Sequence, residues 1–232
     1  MEQDLERLFY QVIDQLSGLT SSENLSQESA LVKPSCPRDL DTNGFVIPLG
    51  VSNHHIHLSQ ADADLLFGEG YVFQKLKDLS QPGQFAFQEC VTIAGLKGVI
   101  DKVRILGPVR GESQVEITAT DGFKLGINAP LRLSGDLEAT PSCTVIGPAG
   151  SVQLKKGCII AKRHIHMTPE DAKCFGVVDK EEVALELPGE RGGILKNVTI
   201  RVKETFALEC HLDTEEANAL GVTGKDKLRL MK

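Results

Sequence analysis

The chain has 232 residues, 41% of them hydrophobic, and a formal net charge of -7. That length suits one large or two small domains with real cores, and the negative balance argues against a general nucleic-acid or anionic-membrane surface. Six cysteines without C-x-x-C spacing give no dense disulfide framework and favour a reducing compartment, no apolar run nears the ~20 residues of a membrane span, and the acidic N-terminus lacks a signal peptide's basic region.

From the N-terminus, Leu5, Leu8, Phe9, Val12, Ile13 and Leu16 recur at helical spacing and predict an amphipathic helix within residues 1–20. Residues 21–43, rich in Ser, Glu, Gln and Asn and carrying Pro34 and Pro37, read as a flexible linker. A short helix on such a tether is expected to dock its apolar stripe on a partner; folding back on its own domain is the alternative. From Gly44 on, short β-rich runs broken by Gly and Pro take over: Phe45–Val51, Cys90–Ala94, Lys102–Leu106, Gln114–Thr118, Thr144–Ile146, Val183–Leu187, Val198–Val202 and Lys227–Met231. Such spacing, with only brief helices, belongs to small barrels or sandwiches and not to a parallel α/β sheet. Gly189-Glu190-Arg191-Gly192-Gly193 lacks the strand-turn-helix setting of a dinucleotide fingerprint and reads as a hairpin turn. Neither a nicotinamide cofactor nor ATP is expected.

All six histidines fall in three segments, His54-His55-Ile56-His57, His164-Ile165-His166 and His211. The two histidines of an H-x-H triplet project from one face of a strand, and neutral imidazole is a favoured ligand for zinc and similar ions. The pattern therefore points to one or two metal ions. One triplet alone would read more plainly as ordinary strand histidines, but this one is duplicated. His55–Asp62 aligns with His164–Asp171, and each copy has a Ser or Thr at a helix N-cap, an acidic residue three places on, and in the second copy Pro169 at the first helical position. Counting back from Gly126 and Gly221 sets Glu116 opposite His211, with Val115 and Ile117 matching Cys210 and Leu212 on the other face. Glu116 thus joins the histidines as a candidate ligand, although by itself it would read as solvated. His54 aligns with Arg163, which cannot ligate, and is assigned to the groove wall or to support of the ligands. The repeat predicts a mainly β chain with two similar small barrels, at 44–152 and 153–232, each with short capping helices.

Five ordered motifs, GVSNHHIHLS (Gly50–Ser59), DLSQPGQF (Asp78–Phe85), ILGPVRGE (Ile105–Glu112), APLR (Ala129–Arg132) and RHIHMTP (Arg163–Pro169), closely resemble the PduL-type phosphotransacylases, phosphate propanoyltransferases of bacterial microcompartments. The resemblance spans about residues 45 to 232. It implies two β-barrels with a dinuclear zinc site between them, and interconversion of a short-chain acyl-CoA (propanoyl or acetyl) plus phosphate with an acyl phosphate plus CoA. The family's ligands carry over onto His55, His57, Glu116, His164, His166 and His211, and its phosphate-handling arginine onto Arg110. The position of His54 is commonly Arg in the family. The first strand can join the C-terminal barrel. The N-terminal helix resembles encapsulation peptides, implying shell or lumen proteins as partners, residence in a microcompartment lumen, and room for a homo-oligomer. Two rival readings are a dinuclear zinc hydrolase of a phosphate or thioester substrate, and a metal-stabilised scaffold, which would need closed coordination.

Overall fold

Alternation of apolar and polar residues from position 44 onward builds a mainly β molecule, described by a computed structural model over residues 40–41 and 44–231. The helix expected within residues 1–20 and most of the linker expected at 21–43 lie outside the described residues. Leu40–Asp41, inside that linker, is a short strand, β1. The strands that follow are β2 (Gly44–Ser52), β3 (His55–Ser59), β4 (Lys75–Asp78), β5 (Phe85–Ala94), β6 (Val99–Arg110), β7 (Gln114–Glu116), β8 (Leu131–Arg132) and β9 (Cys143–Ile146). Next come β10 (Ser151–Leu154), β11 (Cys158–Ala161), β12 (His164–Met167), β13 (Glu182–Leu187), β14 (Gly193–Val202), β15 (Glu209–Asp213) and β16 (Lys227–Met231). Between them lie the helices α1 (Gln60–Phe67), α2 (Ala119–Leu125), α3 (Pro169–Phe175) and α4 (Thr214–Leu220).

Strands β2, β15, β12, β14, β13 and β16 close on themselves, because β2 pairs in parallel with β15 and antiparallel with β16. The other sheet, in the order β10-β9-β5-β6-β3-β7-β11-β8 with β4 on β5, is a curled half-barrel. Strand β2, first in sequence, completes the C-terminal barrel, as the resemblance allows. One boundary differs from the expected split at 152/153: β10 and β11 stay in the half-barrel through Ala161. The reason is pairing. Cys158 and Ile159 find parallel partners in Val115 and Glu116 of β7, which no composition break at 152 could reveal.

One face of the central strands supplies a core in each sheet. Ile56, Leu58, Ile105, Val115 and Ile117 pack inside the half-barrel, and Ile165, Met167, Ile200, Cys210 and Leu212 inside the closed barrel. Since side chains alternate, the histidines between these residues must point the other way.

The internal repeat extends to backbone detail. Lys102 and Asn197, equivalent positions of β6 and β14, both take the left-handed conformation, at φ 59° and 57°. Helices α1 and α3 follow the two H-x-H strands as expected, but α2 and α4 also follow β7 and β15. Their signal was present: Thr118 with Asp121, and Asp213 with Glu216, form reciprocal capping boxes. Each such cap stabilises its helix by about 1 kcal/mol. Helices α2, α3 and α4 all end on a left-handed glycine (Gly126, Gly176, Gly221).

Candidate active site

Strand register brings the predicted ligands together in two triads. Antiparallel pairing of β3 with β7 sets His55 directly opposite Glu116, and pairing of β12 with β15 sets His164 opposite His211. With His57 and His166 added from the same faces, the ligand atoms within each triad all lie within 4.8 Å of one another. The first triad is two imidazoles and a carboxylate; the second is three imidazoles. Both line one cleft of about 680 Å³, and Arg110, at the end of β6, lines it too.

The rings are held in equivalent ways. Nδ1 of His55 sits 2.8 Å from the Asn53 carbonyl oxygen, and Nδ1 of His164 sits 2.8 Å from that of Lys162. A carbonyl only accepts, so Nδ1 carries the proton and Nε2 keeps its lone pair for the cleft. Nδ1 of His57 and Nδ1 of His166 are buried with no hydrogen-bond partner. Two equivalent orphaned nitrogens, each inside a ring of potential ligands, are what a metal site leaves when considered without its ion. The donor set therefore fits a pair of divalent cations such as zinc.

Electrostatics agree. Burial, then the His55 charge, keeps His57 well below the ordinary imidazole range. Burial and His211 hold His164 down to about 4, and burial with His164 and His211 holds His166 to about 2. These rings are neutral at physiological pH, the form a metal needs. Burial opposes charge on Glu116, but the facing His55 outweighs it and keeps the carboxyl ionised, far below its usual range. In return Glu116 overrides burial at His55 and raises it; His55 Nε2 lies 3.4 Å from the carboxylate.

A polar chain ties Arg110 to the first triad. Arg110 Nη1 donates to Ser134 Oγ at 2.9 Å, Gln114 Nε2 donates to the same oxygen at 2.8 Å and to Glu116 Oε1 at 2.6 Å. Gln114 is fully buried, and its Oε1 accepts from the Gly135 amide. Its repeat counterpart is Glu209, two residues before His211, whose Oε2 lies 2.7 Å from His211 Nε2. Glu209 also accepts from Ser80 Oγ and, at 3.3 Å, from Gln81 Nε2, so the Asp78–Phe85 motif of the first half is latched onto β15 of the second. Gly50 faces His211 across the β2–β15 pairing and makes room for this carboxylate.

His54 stands outside both triads and pairs with Asp121 at 3.1 Å. Its counterpart Arg163 pairs with Glu216 at 2.7 Å. In each half, then, the residue before the H-x-H clamps the acidic residue at the start of the helix that follows the opposite strand. Among the residues that sequence reasoning missed are Gln114, Ser134, Glu209, Arg201 and Phe206. For Gln114 and Glu209 a signal existed, since the self-alignment sets them against each other two residues ahead of Glu116 and His211.

Comparison with known proteins follows the same lines. A family model described as phosphate propanoyltransferase matches residues 48–223. The phosphate propanoyltransferase of Rhodopseudomonas palustris (strain BisB18) is 47% identical over 231 residues, 100% of this chain and 98% of that protein. That of Thermotoga maritima is 57% identical over 174 residues, 75% of this chain and 83% of the relative. That of Salmonella arizonae is 52% identical over 176 residues, with 75% and 83% covered.

Proposed function

Because the chain belongs to the phosphate propanoyltransferase family, we propose that it moves a short acyl group, propanoyl or acetyl, between CoA and inorganic phosphate in the cleft shared by its two triads, with zinc as the resident metal. The observation that carries this reading is the meeting of two ligand triads and a tethered arginine in one cavity. His55, His57 and Glu116 would hold one ion and His164, His166 and His211 the other; three protein ligands each leave open positions, as catalytic sites do. When bound, zinc supplies Lewis-acid stabilisation for charge that builds on a thioester oxygen and on a departing thiolate.

The chain's own residues do the rest. Arg110, steadied by Ser134, presents a planar fork that orients phosphate through paired hydrogen bonds. A phosphate oxygen then attacks the thioester carbon, the C–S bond breaks, and CoA leaves as thiolate. Phosphate is ionised at neutral pH and needs no separate base, nor does the reaction need a covalent enzyme intermediate. Gln114 and Ser134 keep Arg110 and Glu116 in fixed relation, so phosphate and the first triad are positioned together. The latch from Ser80 and Gln81 to Glu209 holds a wall of the cleft closed across the two halves.

A zinc hydrolase would use the same ligands, but an arginine held for an oxyanion acceptor, together with the family membership, favours transfer to phosphate. Packaging on shell or lumen proteins through the N-terminal segment, and with it residence in a microcompartment lumen, belongs to the same proposal and is supported by the apolar stripe of Leu5, Leu8, Phe9, Val12, Ile13 and Leu16 ahead of a polar tether. Metal analysis of the purified protein combined with a CoA-release assay on propanoyl-CoA tests the chemistry. About two zinc ions per chain and release that requires phosphate are expected. Release into water without phosphate would favour the hydrolase, and a metal-free active protein would remove zinc from the account.

A further inference from the structure

Arg201 breaks the internal repeat where it is otherwise close. The self-alignment sets Lys102-Val103-Arg104-Ile105-Leu106 of β6 against Asn197-Val198-Thr199-Ile200-Arg201 of β14, with the two left-handed residues in step. His57 faces Leu106 across one strand pair as His166 faces Arg201 across the other, and both Leu106 and Arg201 line the cleft. One wall is therefore apolar where its twin carries a guanidinium.

Among the described residues the Arg201 guanidinium makes no ion pair and no side-chain hydrogen bond, although the more distant Asp179 favours its charge. It is half-buried, with its guanidinium carbon 5.7 Å from the centre of the Phe206 ring, which itself lies 4.2 Å from His166. Lys203 reaches over the same ring at 5.9 Å and is exposed. A second cavity of about 240 Å³ shares Arg110, Lys203, Phe206 and Gln84 with the cleft and has no carboxylate in its lining. Burial works against the charge on both arginines and the Arg201 charge adds to the cost at Arg110, while Glu116 favours both and Asp179 favours Arg201. Glu116, a carboxylate that both arginines sense, is engaged by His55 and Gln114. Two half-buried guanidinium groups beside an exposed lysine, with the nearest carboxylate already engaged by other side chains, form a site suited to receive an anion. A cavity of this size admits phosphate or a small acyl phosphate but not CoA.

We propose that Arg201 is a second phosphate-binding guanidinium beside Arg110, and that Lys203 and the smaller cavity give phosphate and acyl phosphate their own approach to the cleft. This rests on the reaction proposed above. The test uses the zinc-loaded full chain, with Arg201→Leu (copying Leu106), Arg201→Lys and Lys203→Gln. Arg201→Leu should raise KM for phosphate by about tenfold or more, leave KM for propanoyl-CoA within about twofold, and keep its zinc; Arg201→Lys should recover part of the loss. Calorimetric binding of inorganic phosphate should weaken in parallel. Lys203→Gln should raise KM for phosphate about threefold at low ionic strength and have no effect at high salt, as expected for a steering charge. Equal rises in both KM values, an unchanged phosphate KM, or zinc lost from Arg201→Leu would overturn the proposal. If Arg201→Leu does not fold, the exposed Lys203→Gln decides by the same criterion. Phosphate-independent CoA release by the unaltered chain would sink the parent reading instead, and this one with it.

Discussion

Acid should destabilise the metal-free protein through its buried imidazoles, and His164 sets the scale. Its folded value of about 4 lies well below the 6.5 of a free imidazole. Between those values the unfolded chain takes up a proton that the folded chain refuses, so stability is full above about pH 6.5, falls as the pH drops toward about 4, and then levels off. At 1.36 kcal/mol per pKa unit the whole loss from this residue is about 3 kcal/mol, of which about 2 kcal/mol is gone by about pH 5. His57 and His166, depressed mainly by burial, push the same way. Glu116 is also depressed, but as an acid it gives up its contribution only below its unfolded range, in stronger acid. For a chain of this size 1 kcal/mol moves Tm by about 2–4 °C, so His164 by itself should lower Tm by about 4–8 °C between about pH 7.5 and about pH 5, with the raised His55 working against the loss. Thermal melts of chelator-stripped protein followed by circular dichroism read this directly. His164→Asn, having no imidazole to charge at that position, should lose about 2 kcal/mol less over the same interval. Equal acid losses in the two proteins would refute the reasoning.

Alanine at His55, His57, His164 or His166 should remove most of the metal and nearly all activity, whereas His54→Ala, which loses only its pairing with Asp121, should keep its metal; elemental analysis of each variant decides. Arg110→Lys keeps the charge but not the fork, so steady-state kinetics should show phosphate use reduced by about tenfold to a thousandfold with little change in acyl-CoA binding. A methyl group at Gly50 would lie 3.0 to 3.3 Å from three atoms of the Glu209 carboxyl group. Gly50→Ala should therefore cost about 1–3 kcal/mol in urea unfolding and raise KM for acyl-CoA by loosening the Ser80–Gln81 latch, while Gly111→Ala, where a methyl meets nothing, should be neutral. A chain beginning at Pro37 should fold, bind metal and turn over normally, while residues 1–20 fused to a fluorescent protein should carry it into a coexpressed shell; an aggregated truncation would show the helix packing on the catalytic part.

Short-range pattern in the sequence was enough for much of the site. An H-x-H triplet in a strand has both rings on one face whatever surrounds it, and the self-alignment singled out Glu116 because Val115 and Ile117 must point into a core. Capping boxes likewise announce their helices within four residues. What needed the tertiary structure is everything that depends on which distant strands pair. Gly50 reaches His211, and Ser80 reaches Glu209, only because β2 crosses over to close the C-terminal barrel and the intervening loop follows it. Arg201 is placed in the cleft only by its register with His166 and its packing on Phe206, neither of which its own strand announces. Even the role of His54 lies in a contact 67 residues away along the chain. Alternation and caps are fixed by neighbours one to four residues apart, whereas partners across a sheet are chosen by burying both apolar faces at once, a condition that no single segment carries.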